Sequence, residues 1–381
     1  MHTYTPFRGY QSEWAFPQPS LVRLTGSATE PPEEASIVTS HEVARLAGVS
    51  QPTVSRALRD SAKVSAETKR RVREAATALG YVPSAMGRAL SVGRSYRVGL
   101  LLTDMKNQFY PHVIAPMHDA LEDLGYQLVL ITESSEAGPI ADRIMSSALD
   151  GVLLATTTVD SILPVRLRDR GIPFVYFNRT SSSVEADSVT VDPSAGITAL
   201  VETLVDLGHR KVSAIFGPRN TSTGESRETR TREALDTAGI RISPRWSRHG
   251  PFDFETGYIG AKELLAGPDR PTVILCGNDV VALGALNAAA EVGVEVPGDV
   301  SIVGFDDLPT SSWALIQLTT VAFDLDAMSR EAAQLLIRRI AAGTDTSYSH
   351  VVYPTQLRLR RTLGHPATPS PVPGRSPIAT D

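Results

Sequence analysis

Beyond Tyr96 the chain alternates two kinds of segment. Short apolar runs occur at Arg97–Thr103, Gln127–Thr132, Gly151–Ala155, Phe174–Phe177, Val189–Val191, Val212–Phe216, Thr272–Cys276 and Val300–Phe305. Amphipathic stretches of helical length separate most of them: Pro111–Leu124, Ile140–Leu149, Ser161–Arg170, Ala195–Leu207, Arg227–Ala238, Glu255–Leu265 and Asp279–Glu291. Strand-length runs joined by helices predict α/β architecture, with parallel sheets covered on both faces. So long a stretch exceeds one comfortable core, so two α/β lobes are expected. Ligands in such folds sit at the carboxyl ends of the strands.

The text before Tyr96 differs. Ser40–Ala47 reads as a helix with Thr39 or Ser40 as cap. Gly48-Val49 makes a turn, Ser50 caps a second helix to about Arg59, and Ala66–Leu79 forms a third, ended by Gly80. Pro52 is tolerated because it falls in the first turn. Two short helices joined by a Gly-containing turn have the form of a helix-turn-helix. Val43, Leu46, Val49, Val54 and Leu58 are its expected core. The second helix then exposes Gln51, Pro52, Ser55, Arg56 and Arg59. Gln and Arg can read base edges in the major groove, while Thr53 and Ser55 suit phosphate oxygens.

Charge sharpens that reading. The whole chain carries −5, but Ile37–Ser95 holds ten basic side chains against four acidic ones. That segment is +6 and the remainder −11, a basic module on an acidic body. One cysteine, Cys276, leaves no internal disulfide and no multi-cysteine metal site. A reducing, cytoplasmic setting is expected, with neither a secretory signal nor a membrane span read. No nucleophile elbow, phosphate loop or His/Cys metal spacing is present, so no enzyme, cofactor or metal is expected. His209, in Leu207-Gly-His-Arg-Lys211, reads as structural.

The run Glu42-Val-Ala-Arg-Leu-Ala-Gly-Val-Ser-Gln-Pro-Thr-Val-Ser-Arg-Ala-Leu58 closely resembles the opening of lactose-repressor/galactose-repressor (LacI/GalR) regulators. So do Val64-Ser-Ala-Glu-Thr68 and Gly80-Tyr-Val-Pro83. The resemblance continues to about Leu363. It implies a helix-turn-helix head on a two-lobed core like that of periplasmic sugar-binding proteins. The implied order is an N-terminal extension (1–36), the DNA-binding head (37–82), a hinge (83–95), the effector-binding and dimerisation body (96–365) and a Pro/Ser/Thr-rich tail (366–381). Within the body, lobe 1 takes 96–191 and 322–348, and lobe 2 takes 192–321 and 349–365. The implied DNA contacts are Thr39, Gln51, Pro52, Thr53, Ser55, Arg56, Arg59, Ser65, Thr68, Tyr81, Ser84, Arg88 and Leu90. Leu90 matches a leucine that wedges into the minor groove from a hinge helix. Gly87 stands there in place of the usual alanine, a change costing a helix about 1 kcal/mol.

The same resemblance places Asn178, Arg227, Asn278 and Asp306 at an effector cleft, although Asn or Asp after a strand is also a common helix N-cap. Asp279 on its own reads as such a cap. Phe109-Tyr110 match an aromatic pair at the cleft mouth, and Trp313 and Phe323 are further candidates for stacking on a ligand. The implied function is a repressor, dimeric on a pseudo-palindromic double-stranded operator and switched by a small effector. Asn, Asp, Arg and aromatics suit a sugar, and also a nucleoside or purine. A transport-type sugar receptor is the reading from another class; it calls for an export signal and no basic head.

Overall fold

The computed structural model describes residues 38–81, 94–103, 105, 107–132, 140–267, 269–343 and 346–367. The chain divides into two compact units, Met1–Ser84 and Ala85–Asp381.

In the first unit, α1 (Ser40–Ala47), α2 (Gln51–Leu58) and α3 (Ala66–Ala78) surround one small core. Local chemistry sets each boundary. The Glu42 carboxylate accepts the Thr39 N–H at 2.7 Å, so a first-turn donor is satisfied. Gly48 takes the left-handed conformation (φ 64°) that ends α1. Arg71 then donates to the Ala47 carbonyl at 2.6 Å, and Ser65 accepts from the Thr68 N–H at 3.2 Å to start α3. Val43, Ala44, Ala47, Val54, Ala57, Val72, Ala75 and Ala76 form the core. Leu46, expected there, is instead 57% exposed. The buried stripe of α1 runs through Val43, Ala44 and Ala47, and Leu46 stands roughly a quarter-turn away from it.

The second unit holds two six-stranded sheets. Lobe 1 contains β1 (Arg97–Leu102), α4 (Pro111–Asp123), β2 (Gln127–Thr132), α5 (Ile140–Ser146), β3 (Gly151–Leu154), α6 (Leu163–Asp169), β4 (Phe174–Phe177) and β5 (Ser188–Asp192). Lobe 2 contains α7 (Ser194–Leu207), β6 (Val212–Phe216), α8 (Ser222–Thr237), β7 (Ser247–His249), α9 (Phe254–Leu265), β8 (Val273–Cys276), α10 (Asp279–Glu291), β9 (Ser301–Asp306) and β10 (Thr319–Ala322). The chain returns to lobe 1 for α11 (Leu325–Ala342) and β11 (His350–Pro354), then to lobe 2 for β12 (Gln356–Arg358). The sheet orders are β11-β5-β4-β3-β1-β2 and β12-β10-β9-β8-β6-β7. Neighbours are parallel except β12, which runs antiparallel to β10. In both sheets the strand order reverses beside the first strand, between β1 and β3 and between β6 and β8. Such switch points open crevices at the carboxyl ends of the strands.

One expected boundary moves. The resemblance implies that residues 349–365 belong to lobe 2, yet β11 pairs with β5 along His350–Pro354 and extends the sheet of lobe 1. The crossing comes at Thr355, whose hydroxyl donates to the Asp192 carbonyl (3.0 Å) and accepts from the Gly196 N–H (3.0 Å). One threonine thus ties the last crossing to the first. Helix α8 also begins earlier than expected, at Ser222, because the Thr221 side chain caps it by accepting from Gly224 N–H. Lobe 2 depends on a close helix pair: a Cβ on Gly257 of α9 would stand 1.9 Å from the Val281 carbonyl oxygen of α10. Among the described residues no helix is long and apolar enough to cross a membrane.

Candidate DNA-reading head and effector cleft

On α2, Val54 and Ala57 turn inward, while Gln51, Pro52, Ser55, Arg56 and Arg59 share an outward arc of about 140°. Gln51 is tethered by its amide to the Ser40 hydroxyl (3.3 Å). Arg59 folds back onto Ser55, donating to its carbonyl and hydroxyl at 3.1 and 2.8 Å. Thr53 shares a hydrogen bond with Ser50 (2.8 Å), and Thr68 one with Ser65 (2.9 Å). Thr39, Pro52 and Ser65 are exposed, and Tyr81 is half-buried against the core.

The basic charge of the head divides into two groups. Lys69 and Arg73 pair with Asp60 at 3.1 and 2.9 Å, and Arg70 pairs with Glu67 and Glu74 at 2.7 and 2.8 Å. These cations on α3 are locally compensated. Arg56 is exposed, and among the described residues its guanidinium has no hydrogen-bond or ion-pair partner. It is the cation on the α2 face left free for an external acceptor. Ser84, Arg88 and Leu90, with Gly87, lie outside the described residues.

In the second unit the carboxyl ends of the strands meet across one cleft. Six of the eight expected effector residues line it: Phe109, Tyr110, Asn178, Arg227, Asn278 and Asp306. The structure adds Asn107, Arg179, Thr223 and Phe252. Asn107, Phe109 and Tyr110 come after β1, Asn178 and Arg179 after β4, Phe252 after β7 and Asn278 after β8, while Thr223 and Arg227 lie in the first turns of α8 and Asp306 ends β9. The lobes touch there. Asn107 donates its amide to the Phe252 carbonyl (2.8 Å), Val159 N–H to the Asn220 carbonyl (3.0 Å), and Thr180 N–H to the Ser222 hydroxyl (2.9 Å). The cavity left between them is about 30 Å³, room for a water or two.

Arg227 is the centre of the cleft. It is buried, donating to the Gly277 carbonyl (2.7 Å) and to Asp306 (2.8 Å). Its guanidinium lies 3.8 Å from the centroid of the Phe305 ring and 5.4 Å from that of Phe252. Burial accounts for the room this takes: a Cβ on Gly217 would fall 2.1 Å, and one on Gly277 3.0 Å, from the Phe252 ring. Asn178 (φ 63°) and Asp306 (φ 115°) both hold positive φ. The first is a conformation asparagine tolerates; the second is strained, as is common where function fixes a side chain. The Asn178 Oδ1 and Thr223 Oγ1 atoms are buried without a partner, an arrangement that costs stability until something polar enters.

Two expected residues are not brought to the cleft. Trp313 is 60% exposed, because the turn at Pro309–Ser312 is held against α10 and carries it away. Phe323 is buried in the core beside Phe305 (ring centroids 6.2 Å apart). Asp279 also differs from expectation. Asn278 is the cap of α10, accepting from Val281 N–H. Asp279 is fully buried and accepts from Leu308 N–H (2.8 Å), the Ser311 hydroxyl (2.6 Å) and the Thr320 hydroxyl (2.6 Å). It is the group that anchors the Pro309–Ser312 turn. Its neighbour in sequence logic, Asp307, turns from Asp306 to pair with Arg360 at 2.6 Å. His209 is structural: its ring nitrogens meet the Thr272 hydroxyl and the Gly364 carbonyl, both at 2.9 Å.

Burial pushes the Asp279 carboxyl up to about 7, with the nearby Asp306 charge adding to it. Burial likewise raises Asp306 to about 6, against the pull of Arg227. The folded chain therefore holds protons that the unfolded chain, with carboxyls near 3.8, has released. The contribution of these groups to stability is complete below the unfolded value and is lost as pH rises through about 6 to 7. Asp279→Asn is expected to lack its part of that slope in urea titrations across about pH 5 to 8. An unchanged slope would contradict the assignment.

A head that offers a helix-turn-helix face to an external acceptor, joined to a two-lobed core closing on a polar cavity, defines a ligand-binding DNA-binding regulator. Comparison with known proteins places it further. Residues 39–84 match the model described as bacterial regulatory proteins, lacI family, and residues 201–363 that of the periplasmic binding protein-like domain. The HTH-type transcriptional repressor PurR of Erwinia tasmaniensis is 31% identical, over 87% of this chain and 98% of its own. Among solved structures, a transcriptional regulator CelR–cellobiose complex is 32% identical, covering 85% of this chain and 99% of that one, with a TM-score of 0.64. A lac repressor dimer bound to operator and the anti-inducer ONPF is 25% identical over 85% and 98%, with a TM-score of 0.74. The chain belongs to the LacI family of DNA-binding transcriptional regulators. Its relatives are regulators rather than enzymes.

Proposed function

We propose that the chain is a repressor that grips a pseudo-palindromic operator as a two-fold dimer and is switched by a small polyhydroxylated effector in the cleft. The observation that carries this is the cleft itself, where Asn178 and Thr223 keep buried polar atoms without partners beside Arg179 and the Arg227–Asp306 pair. Such groups match the hydroxyls of a sugar, and the cellobiose bound by the related CelR supports that class. The name of the purine repressor relative keeps a purine as the second reading. The effector works by binding one lobe arrangement better than the other; equal affinity would switch nothing.

The proposed DNA contacts are those of α2, with Arg56 foremost. Arg56→Ala is expected to weaken operator binding about tenfold or more and to flatten its salt dependence by about one ion. Arg70→Ala, a cation already paired, should change little. A gel-shift with the chain's own upstream DNA, titrated with sugars and purines, tests both halves. No retarded band on nearby promoters would overturn the repressor reading. Release by purines alone would overturn the sugar.

A further inference from the structure

We propose that the effector is an anion: a polyol bearing a carboxylate or phosphate group, which Arg179 holds. This rests on the cleft being the effector site.

Among the described residues, the charges facing the cavity are Arg179, Arg227 and Asp306. Arg227 and Asp306 neutralise each other at 2.8 Å. Arg179 has no such partner. Among the described residues its side chain makes no hydrogen bond and no ion pair; its neighbour is the Phe252 ring, 5.8 Å from the guanidinium carbon. Burial holds its pKa below the ordinary arginine value. Tyr110 and Asp306 attract it, and Arg227 repels it. Among the described residues, Asp279 has its carboxylate occupied by three donors and does not line the cavity.

A neutral ligand closing the cleft would bury this guanidinium without a counter-charge, which is strongly unfavourable. An oxyanion accepts from the guanidinium in a forked geometry and offsets the net positive charge of these three groups. The hydroxyls of the polyol then answer Asn178 Oδ1 and Thr223 Oγ1, and its C–H faces meet Phe109, Tyr110 and Phe252. The inferred selectivity is therefore set by charge first and by stereochemistry second.

The test uses the full chain and Arg179→Gln. Inorganic phosphate and acetate are titrated in a thermal-unfolding assay, with sodium chloride matching ionic strength. Glucose, glucuronate and glucose 6-phosphate follow by calorimetry, as do the corresponding galactose compounds. Phosphate or acetate is expected to raise the wild-type midpoint by about 2–4 °C near ten times its dissociation constant, and Arg179→Gln to lose that rise. Where a sugar series binds, the charged member should bind at least about tenfold tighter, and the advantage should vanish in the variant. Which of the two anions acts distinguishes carboxylate from phosphate. No shift beyond that of sodium chloride overturns the proposal, as does a shift retained in Arg179→Gln or a neutral sugar binding as tightly as its charged counterparts. Operator retardation, measured in parallel, separates the two readings. Operator released by a neutral sugar alone leaves the repressor standing and the anionic effector refuted.

Discussion

Arg227→Ala is expected to abolish the effector response and to destabilise the chain by about 3–5 kcal/mol, because it leaves Asp306 buried without its counter-charge. Arginine meets three demands there at once. It reaches the Gly277 carbonyl with one nitrogen, Asp306 with another, and lays its plane over Phe305. Lysine has no plane and one nitrogen, so Arg227→Lys should recover little of the loss. Adding Asp306→Asn to Arg227→Ala should restore part of the stability, since the stranded charge is gone, without restoring the response. Urea denaturation and effector-dependent operator release measure the two effects separately. A stable Arg227→Ala that still releases operator would refute this account of the cleft.

Gly257→Ala is expected to cost about 3 kcal/mol or more, although alanine is the better helix former. The added methyl would meet backbone, the Val281 carbonyl oxygen 1.9 Å away, and backbone cannot swing aside. Gly284 of α10 is equally enclosed: a Cβ there would stand 2.1 Å from the Phe254 carbonyl oxygen. Displacing α10 would move Asn278 and Asp279 at its first turn, so the cleft should loosen along with the fold. Gly260→Ala, on the same helix, provides the contrast. Its new methyl meets the Ile215 side chain, Cδ1 at 3.1 Å and Cγ1 and Cγ2 at 3.4 Å, rather than backbone, and the loss in urea should be much the smaller of the two. Equal losses at the two positions would mean that the close approach of α9 and α10 is not the cause.

The fold was legible wherever burial imposed a period. Runs buried on both faces, such as Phe174–Phe177 and Val212–Phe216, read as strands because little but a central strand is so short and so apolar. Helix α8 began five residues before its expected start because it is polar almost throughout, Ser-Thr-Gly-Glu-Ser-Arg-Glu, and its buried face includes Thr223, Arg227 and Thr231. A hydrophobic period cannot report a helix whose inner face is polar. The edge strands β7, β11 and β12 escaped notice for a similar reason, being short and half-exposed.

The cleft was legible in part. Residues directly after apolar strands, Asn178, Asn278 and Asp306, reached it as expected. Phe252 and Asn107 did not announce themselves, since they lie in irregular chain without a pattern. The clue to Phe252 was indirect: Gly217 and Gly277 follow β6 and β8 directly, where the ring needs their missing side chains. Trp313, a candidate for stacking on a ligand, is turned outward by the buried Asp279 network, which joins residues far apart in sequence. The partition of charge on the head was equally hidden, because spacing does not say which arginines are already answered by carboxylates.

The contact of Asn107 with Phe252 also sets how sharply the chain can sense. A cavity of about 30 Å³ is far below the ~300–1,000 Å³ of ordinary small-molecule sites, so an effector can enter only molecules whose lobes have parted. Its apparent affinity is then its intrinsic affinity scaled by the open fraction. Ser222, whose hydroxyl accepts the Thr180 N–H across the lobes without lining the cavity, becomes a tuning dial. Substitution there can move the concentration at which the regulator responds while leaving what it recognises unchanged.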